Sequence, residues 1–317
     1  MPVIVLGNIA VGGTGKTPHI EMLAKTLSQD FKLAVLSRGY KRKTKGFKYV
    51  ETFCTADEVG DEPLQIKQKF PDVTVAVEAD RVKGVKRLRA DNKDLDVILL
   101  DDAFQHRSLK PSLSIVLIDY NHPIHKDHML PWGRLRDAPK QLKRADIVFV
   151  TKCPKNLNAL EMKLLEKDTN LRPYQRLHLS TFSYGNPTPV FPSETMVMPS
   201  NASLNSILAV TGIANPAPFV QHLSGIGNVS SLKFADHHKF SKKDIGKIAK
   251  AATNANVVFT TEKDAMRLKS MMLPDKLKQK LFYIPIEVEI LNGNDKFTKY
   301  ITEYVRKNKR NNILYTS

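Results

Sequence analysis

The sequence predicts an α/β protein: a P-loop NTPase-like parallel sheet first, then a second α/β segment. Three observations carry this. The first eighteen residues, MPVIVLGNIAVGGTGKTP, read as strand, glycine turn, Lys-Thr and helix start. Short apolar runs then alternate with helical patterns through the first half, which is the spacing of a parallel sheet. Around Phe182 to Ser203, Pro and Ser cluster in SYGNPTPVFPSE and MPSNAS, and the alternation resumes beyond them. This places domains at 1–182 and 183–317, with a linker or extended hairpin between and a last helix free to return to the first domain.

Val3 to Leu6 is an apolar run suited to a buried strand. Gly12-Gly13-Thr14-Gly15 follows, then Lys16-Thr17 and a helical pattern, His19 to Ser28. Glycines let successive backbone N–H groups turn inward as an anion nest. The helix start adds free N–H groups and partial positive charge. Gly12, Gly13, Thr14, Gly15, Lys16 and Thr17 are therefore the candidate ATP-binding residues; Lys16 reaches the β/γ-phosphates and the Thr17 hydroxyl holds Mg2+. The strict motif has glycine where this chain has Ala10.

Leu33 to Ser37 is the next strand. It leads through Arg38-Gly39-Tyr40 into the basic loop Lys41 to Lys45, at a strand's carboxyl end, where open α/β sheets bind ligands. Gly60-Asp61-Glu62-Pro63 precedes a helical pattern, Leu64 to Phe70. Asp61 fits either a helix N-cap or a catalytic carboxylate, with the cap favoured by local rules. Val73 to Val77 is a strand, followed by Asp80-Arg81 and a basic helix, Val82 to Ala90.

Val97 to Asp102, VILLDD, is an apolar run ending in acid, the pattern that binds the Mg2+ of a P-loop site. Adjacent acids at a strand end are costly without a nearby cation. Asp101 and Asp102 are thus metal candidates, with Phe104-Gln105-His106-Arg107 beside them. Ser114 to Asp119 and Ile147 to Thr151 are further strands. The loop between them, His128 to Asp137, is rich in Pro, Gly and Arg and holds the only Trp. Its arginines suit charge neutralisation on a transferring phosphoryl group, or simple exposure.

In the second half, Ile207 to Val210 leads into Thr211-Gly212-Ile213-Ala214-Asn215-Pro216 and a helix. Val229 to Phe234 precedes Asp236-His237-His238. Ser241 caps a helix, Lys242 to Ala252, Val257 to Thr261 is a strand, and Glu262-Lys263-Asp264 opens the next helix. Leu281 to Ile290 reads as the last strand and Lys296 to Arg306 as a basic amphipathic helix, with a frayed tail from Lys307. His237 and His238 have no third ligand in view, which argues against zinc; a His beside a loop Asp suits acid–base work instead.

Composition narrows the function classes. Hydrophobic content of 42% supports substantial cores. Cys54 and Cys153 match no metal spacing and point to a reducing compartment. No apolar window reaches about eighteen residues, so no spanning helix is expected, and the opening strand leaves no signal peptide. The net charge of +17, with a pI of about 9.7, calls for a polyanionic partner: nucleic acid, anionic lipid or a phosphorylated substrate.

Taken together, the motifs resemble the tetraacyldisaccharide 4′-kinase family, the lipid A 4′-kinases of Gram-negative bacteria. The matching stretches are Gly7-Asn8-Ile9 with VGGTGKTP, Ser37 to Tyr40, Val59 to Pro63, Leu100 to His106, Leu130 to Arg136, Gly212 to Pro216, Asp236-His237 and Thr261 to Asp264. The resemblance implies two α/β/α domains joined by a short β linker, the second smaller, with the active site in the cleft. It implies phosphoryl transfer from ATP, with Mg2+, to the 4′-hydroxyl of a tetraacylated, 1-phosphorylated glucosamine disaccharide.

Carried over by motif, Asp61 becomes the catalytic carboxylate, paired with His237. Lys16 cradles the phosphates, Thr17 with Asp101 and Asp102 serves Mg2+, and Arg81 and Arg136 attend to phosphate charge. The implied partners are an anionic glycolipid substrate and the cytoplasmic face of the inner membrane, held peripherally, with no nucleic acid and no obligate protein partner. Two departures stand out. The family usually has Glu where this chain has Asp137. Its usual N-terminal membrane-associated helix also has no counterpart here, so either the sequence is truncated or the surface alone holds the membrane. The competing reading is a P-loop NTPase acting as a nucleic-acid-binding or metallochaperone-type module. No CxxC or His/Cys cluster and no aromatic–basic stripe supports it.

Overall fold

The computed structural model describes residues 1–192, 203–236 and 238–309, and the backbone of 315 and 316. The chain divides into two compact units, Met1–Ser183 with Val288–Ser317, and Tyr184–Glu287.

The first unit is built on a nine-stranded sheet. In chain order its elements are β1 Val3–Asn8, α1 Lys16–Leu27, β2 Leu33–Ser37, β3 Lys48–Tyr49, α2 Ala56–Val59, α3 Asp61–Lys69, β4 Thr74–Val77 and α4 Arg81–Asp91. Then come β5 Val97–Asp101, β6 Leu109–Lys110, β7 Leu113–Asp119, β8 Ile147–Thr151, α5 Ala159–Thr169 and β9 Arg176–Tyr184. The central strands β1, β2, β5, β7 and β8 are buried along their whole length, so they read as unbroken apolar runs rather than alternating ones. Their pairings are parallel, with Leu6 of β1 opposite Asp101 of β5. That register brings the end of the glycine-turn strand level with the acidic strand end.

The second unit contains β10 Thr188–Pro189, β11 Ile207–Thr211, α6 Ala217–Ser224, β12 Val229–Lys233, α7 Lys242–Ala251, β13 Val257–Thr261, α8 Glu262–Lys269, α9 Asp275–Lys278 and β14 Leu281–Ile284. Its sheet runs β10-β14-β13-β11-β12, with β11 to β14 parallel. Ser241 caps α7 as its sequence predicts, accepting from the Asp244 N–H.

The chain re-enters the first unit through β15 Ile286–Ile290 and α10 Asn294–Asn308; β16 Tyr315–Thr316 pairs with β6. The single strand expected over Leu281 to Ile290 is two strands in different sheets. Pro285 lies between them and cannot donate to a ladder. In α10, Phe297, Ile301 and Val305 recur at helical spacing, are fully buried and join the core of the first unit. Two elements lack strong patterns. α5 buries none of its residues, and the buried centre of β9 includes Ser180 and Thr181.

Candidate active site

The phosphate-binding loop joins β1 to α1. Gly15 is the residue before the helix, with φ 87° and ψ 28°. A Cβ there would also lie 2.3 Å from Phe182 Cζ, so both backbone and space require glycine. No acidic side chain occupies the first turn of α1, which leaves the helix start positive for an anion. Ala10, at the motif's first glycine position, has no left-handed backbone and pairs with Leu135, so glycine is not needed there.

Side chains from several strands brace this loop. Asn8 Nδ2 donates to Thr14 Oγ1 at 2.9 Å, and Thr151 Oγ1 donates to the Thr14 carbonyl at 2.9 Å. His19 is wholly buried. Its Nδ1 lies 2.8 Å from the Gly15 carbonyl, which can only accept, so Nδ1 carries the proton. Nε2 then accepts from Ser180 Oγ at 3.0 Å. Burial pulls the His19 pKa down to about 4, keeping the ring neutral near pH 7.

The acidic strand end faces this loop. Asp102 has φ 47°, a left-handed conformation that turns it out of β5. Lys16 Nζ lies 3.7 Å from one of its oxygens, and Arg136 Nη2 lies 3.4 Å from the other. Arg136 also donates to Asn8 Oδ1 at 2.5 Å. Asp101 is 2% exposed. Its Oδ2 accepts from Ser37 Oγ at 3.1 Å, while its Oδ1 is buried without a partner. Burial, then the charges of Glu62 and Asp102, push its pKa from 3.8 up to about 7. An orphaned buried carboxylate oxygen that feels the charges of two further acids suits a divalent cation, and Thr17 follows Lys16, which pairs with Asp102, in the first turn of α1. Among the described residues no group of three or more His, Cys, Asp and Glu gathers closely enough to hold a metal, here or elsewhere, so a cation at this edge would need the Thr17 hydroxyl and phosphate oxygens besides the acids.

Asp61 is the first residue of α3, and Gly60, with φ 95°, holds the N-cap position without a side-chain cap bond. The cap expected of Asp61 is therefore not what the structure shows. Asp61 is half-buried and sits in the same helical turn as Glu62, whose charge reaches Asp101.

Arg81 lies against the end of β5. It is 1% exposed, and its guanidinium donates to the carbonyls of Glu78 at 2.8 Å, Ala79 at 3.2 Å and Asp101 at 3.2 Å. Those hydrogen bonds tie it to the end of β5, while its Nε is buried without a partner. Asp137 pairs with Arg107 at 3.2 Å and accepts from the Ala138 N–H, a structural duty.

His237 lies outside the described residues. Its neighbour His238 is committed to Asp244, with Nε2 3.0 Å from the carboxylate, and stacks on Phe234. In the same unit the buried Asp264 accepts from the Gly212 N–H at 2.8 Å and Thr261 Oγ1 at 2.7 Å, and pairs with Arg267 at 2.9 Å. The Thr211 to Pro216 and Thr261 to Asp264 motifs are thus tied to one another.

Sequence reasoning assigned no role to Asn8, Ser37 or Glu62, which lie in its motif stretches, nor to His19, Thr151 or Ser180. Each acts through a partner distant in sequence. The nearest signal is the position of Asn8 and Ser37 at the carboxyl ends of apolar runs, where a polar residue requires a reason.

A family model described as tetraacyldisaccharide-1-P 4′-kinase matches residues 1–306. The tetraacyldisaccharide 4′-kinase of Bacteroides thetaiotaomicron is 46% identical over 327 residues, covering 98% of this chain and 86% of that protein. That of Flavobacterium johnsoniae is 41% identical over 308 residues, covering 97% and 88%. Among solved structures, the "apo" form of LpxK from Aquifex aeolicus in complex with ATP superposes with a TM-score of 0.72 at 26% identity, covering 96% of this chain and 89% of that one.

Proposed function

Because the chain belongs to the tetraacyldisaccharide-1-P 4′-kinase family, we propose that the edge formed by the P-loop and the β5 end is its phosphoryl-transfer centre. The protein is an ATP-dependent kinase that phosphorylates the 4′-hydroxyl of the tetraacylated disaccharide 1-phosphate precursor of lipid A. Family membership displaces the nucleic-acid or metallochaperone alternative. The observation that carries the site assignment is the pair of adjacent acids opposite Lys16. Asp102 is held by two cations, and Asp101 is buried with an oxygen left unpartnered.

In this reading the backbone N–H groups from Gly12 to Thr17 and the start of α1 hold the phosphates of ATP, and Lys16 turns from Asp102 to the β/γ-phosphates. Thr17, Asp101 and Asp102 would hold Mg2+, which when bound neutralises charge on the phosphate oxygens. Arg136, already at the mouth, offsets charge on the transferring group. Arg81 keeps Asp101 in place through its carbonyl. Asp61 accepts the proton of the 4′-hydroxyl as that oxygen bonds to the γ-phosphorus. The bond to the β–γ bridging oxygen breaks and ADP leaves. His237 is the second acid–base candidate, carried by its motif. Peripheral binding at the cytoplasmic face of the inner membrane fits the +17 charge. Among the described residues no helix is long and apolar enough to cross a membrane.

The test is transfer from γ-labelled ATP to the 1-phosphorylated tetraacyl disaccharide in mixed micelles, with and without Mg2+. Metal-dependent label at the 4′ position is expected. A folded, ATP-binding protein that leaves the lipid unlabelled would overturn the reading.

A further inference from the structure

We propose that the loop Met129–Trp132 is a docking tip that inserts into the interface of an anionic lipid bilayer. Consecutive apolar residues stand in water around Pro131: Met129 is 42% exposed, Leu130 50% and Trp132 88%. Large apolar side chains normally leave water when the chain can fold over them. Here the backbone prevents that. Leu130 N–H donates to the Leu135 carbonyl and Leu135 N–H to the His128 carbonyl, both at 2.9 Å, while Trp132 N–H donates to Met129 at 3.0 Å. Asp127 Oδ1 accepts from the N–H groups of His128 at 2.8 Å and Arg134 at 2.9 Å. Leu135 is buried in the core, and the loop's base is bonded to the phosphate loop, Val11 N–H to the Arg134 carbonyl and Arg136 N–H to the Ile9 carbonyl. The tip is thus held outward by a rigid base.

Charge selects the occupant. The segment 122–144 carries Lys126, Arg134, Arg136, Lys140, Lys143 and Arg144 against only Asp127 and Asp137. Both acids are occupied, Asp127 by backbone N–H groups and Asp137 by Arg107, while Arg136 is held by Asp102 and Arg144 by Phe104, so the cationic surround rests chiefly on Lys126, Lys140 and Lys143. An exposed Trp and Leu within a cationic surround match the headgroup boundary of an anionic membrane, where Trp is favoured and each cation adds attraction. The choice of a bilayer rests on the lipid substrate proposed above. Because the base of the loop is bonded to residues 9 and 11, insertion would bring the phosphate-binding edge to the lipid surface.

Trp132 is the sole tryptophan, so the emission of the full chain reports this one site. Vesicles of phosphatidylglycerol and phosphatidylethanolamine should shift that emission to the blue, and lipids brominated high on the acyl chain should quench it; pure phosphatidylcholine should do less. Leu130→Ser should weaken vesicle sedimentation roughly tenfold, the loss expected for one buried apolar side chain, with ATP binding unchanged. Unshifted emission from sedimented protein, absence of sedimentation, or a concentration-dependent blue shift without vesicles would each overturn the proposal. Transfer to detergent-dispersed substrate is measured alongside. Its absence with the vesicle-induced shift intact would count against the lipid substrate and still support a docking tip.

Discussion

Asp101→Asn should stabilise the metal-free protein at neutral and alkaline pH. The Asp101 pKa rises from 3.8 to about 7 because burial, Glu62 and Asp102 all disfavour its charge. The folded state therefore keeps a proton that the unfolded chain releases, and stability falls as pH rises between those values. At about 1.4 kcal/mol per pH unit, the ionised group costs about 4 kcal/mol above pH 7. His19 acts oppositely. Its pKa falls from 6.5 to about 4, so its contribution is lost as pH drops through that range. The two windows overlap, and the wild-type profile partly conceals both. The informative quantity is the difference between variant and wild type, because Asn removes only the Asp101 contribution. Asn can still accept from Ser37, and at pH 4 the protonated acid is equally neutral. The variant should match wild type near pH 4 and melt roughly 10 °C higher near pH 8, at 2–4 °C per kcal/mol for a unit of this size. Mg2+ with ATP should narrow that gap by stabilising wild type more than the variant, which keeps the phosphate loop but lacks one acid for the metal. Scanning calorimetry at both pH values would show this. An equal offset at pH 4 and pH 8, or an equal response to Mg2+ and ATP, would show that ionisation of Asp101 does not limit stability.

Gly15→Ala forces a side chain onto a backbone at φ 87° and into the Phe182 ring. ATP affinity should fall roughly tenfold or more, from strain of about 1–3 kcal/mol at the loop, as titration calorimetry would record. Ser180→Ala leaves His19 Nε2 buried without its donor. Urea unfolding should show a loss of about 1–3 kcal/mol. Phe297→Ala removes a fully buried ring from the first unit. It should cost about 3–5 kcal/mol, with amide exchange accelerated in the nine-stranded sheet.

The parallel core was legible because its strands are buried on both faces and so stand out as apolar runs. The phosphate loop was legible because anion binding by backbone demands glycine, a requirement visible in the letters. Asp61 shows the limit of local rules. An acid before a helix favours a cap, yet Gly60 takes that position and Asp61 is the first helical residue instead. Arg81 shows another limit. Its sequence neighbours do not reveal that the side chain turns inward onto three carbonyls. The strand Arg176–Tyr184 was unread upstream of Phe182 because polar Ser180 and Thr181 lie in its buried part, and Ser180 is there to serve His19, 161 residues away. Leu281 to Ile290 looked continuous since β propensity runs through it; Pro285 divides it between sheets.

The most direct test of the phosphoryl-transfer site is single-turnover transfer from labelled ATP to the micellar disaccharide, comparing wild type with Asp61→Asn. A loss of roughly a hundredfold or more is expected, the scale of acid–base help, with ATP affinity unchanged. Transfer at the wild-type rate in the variant would contradict it, and the proton acceptor would have to be another residue.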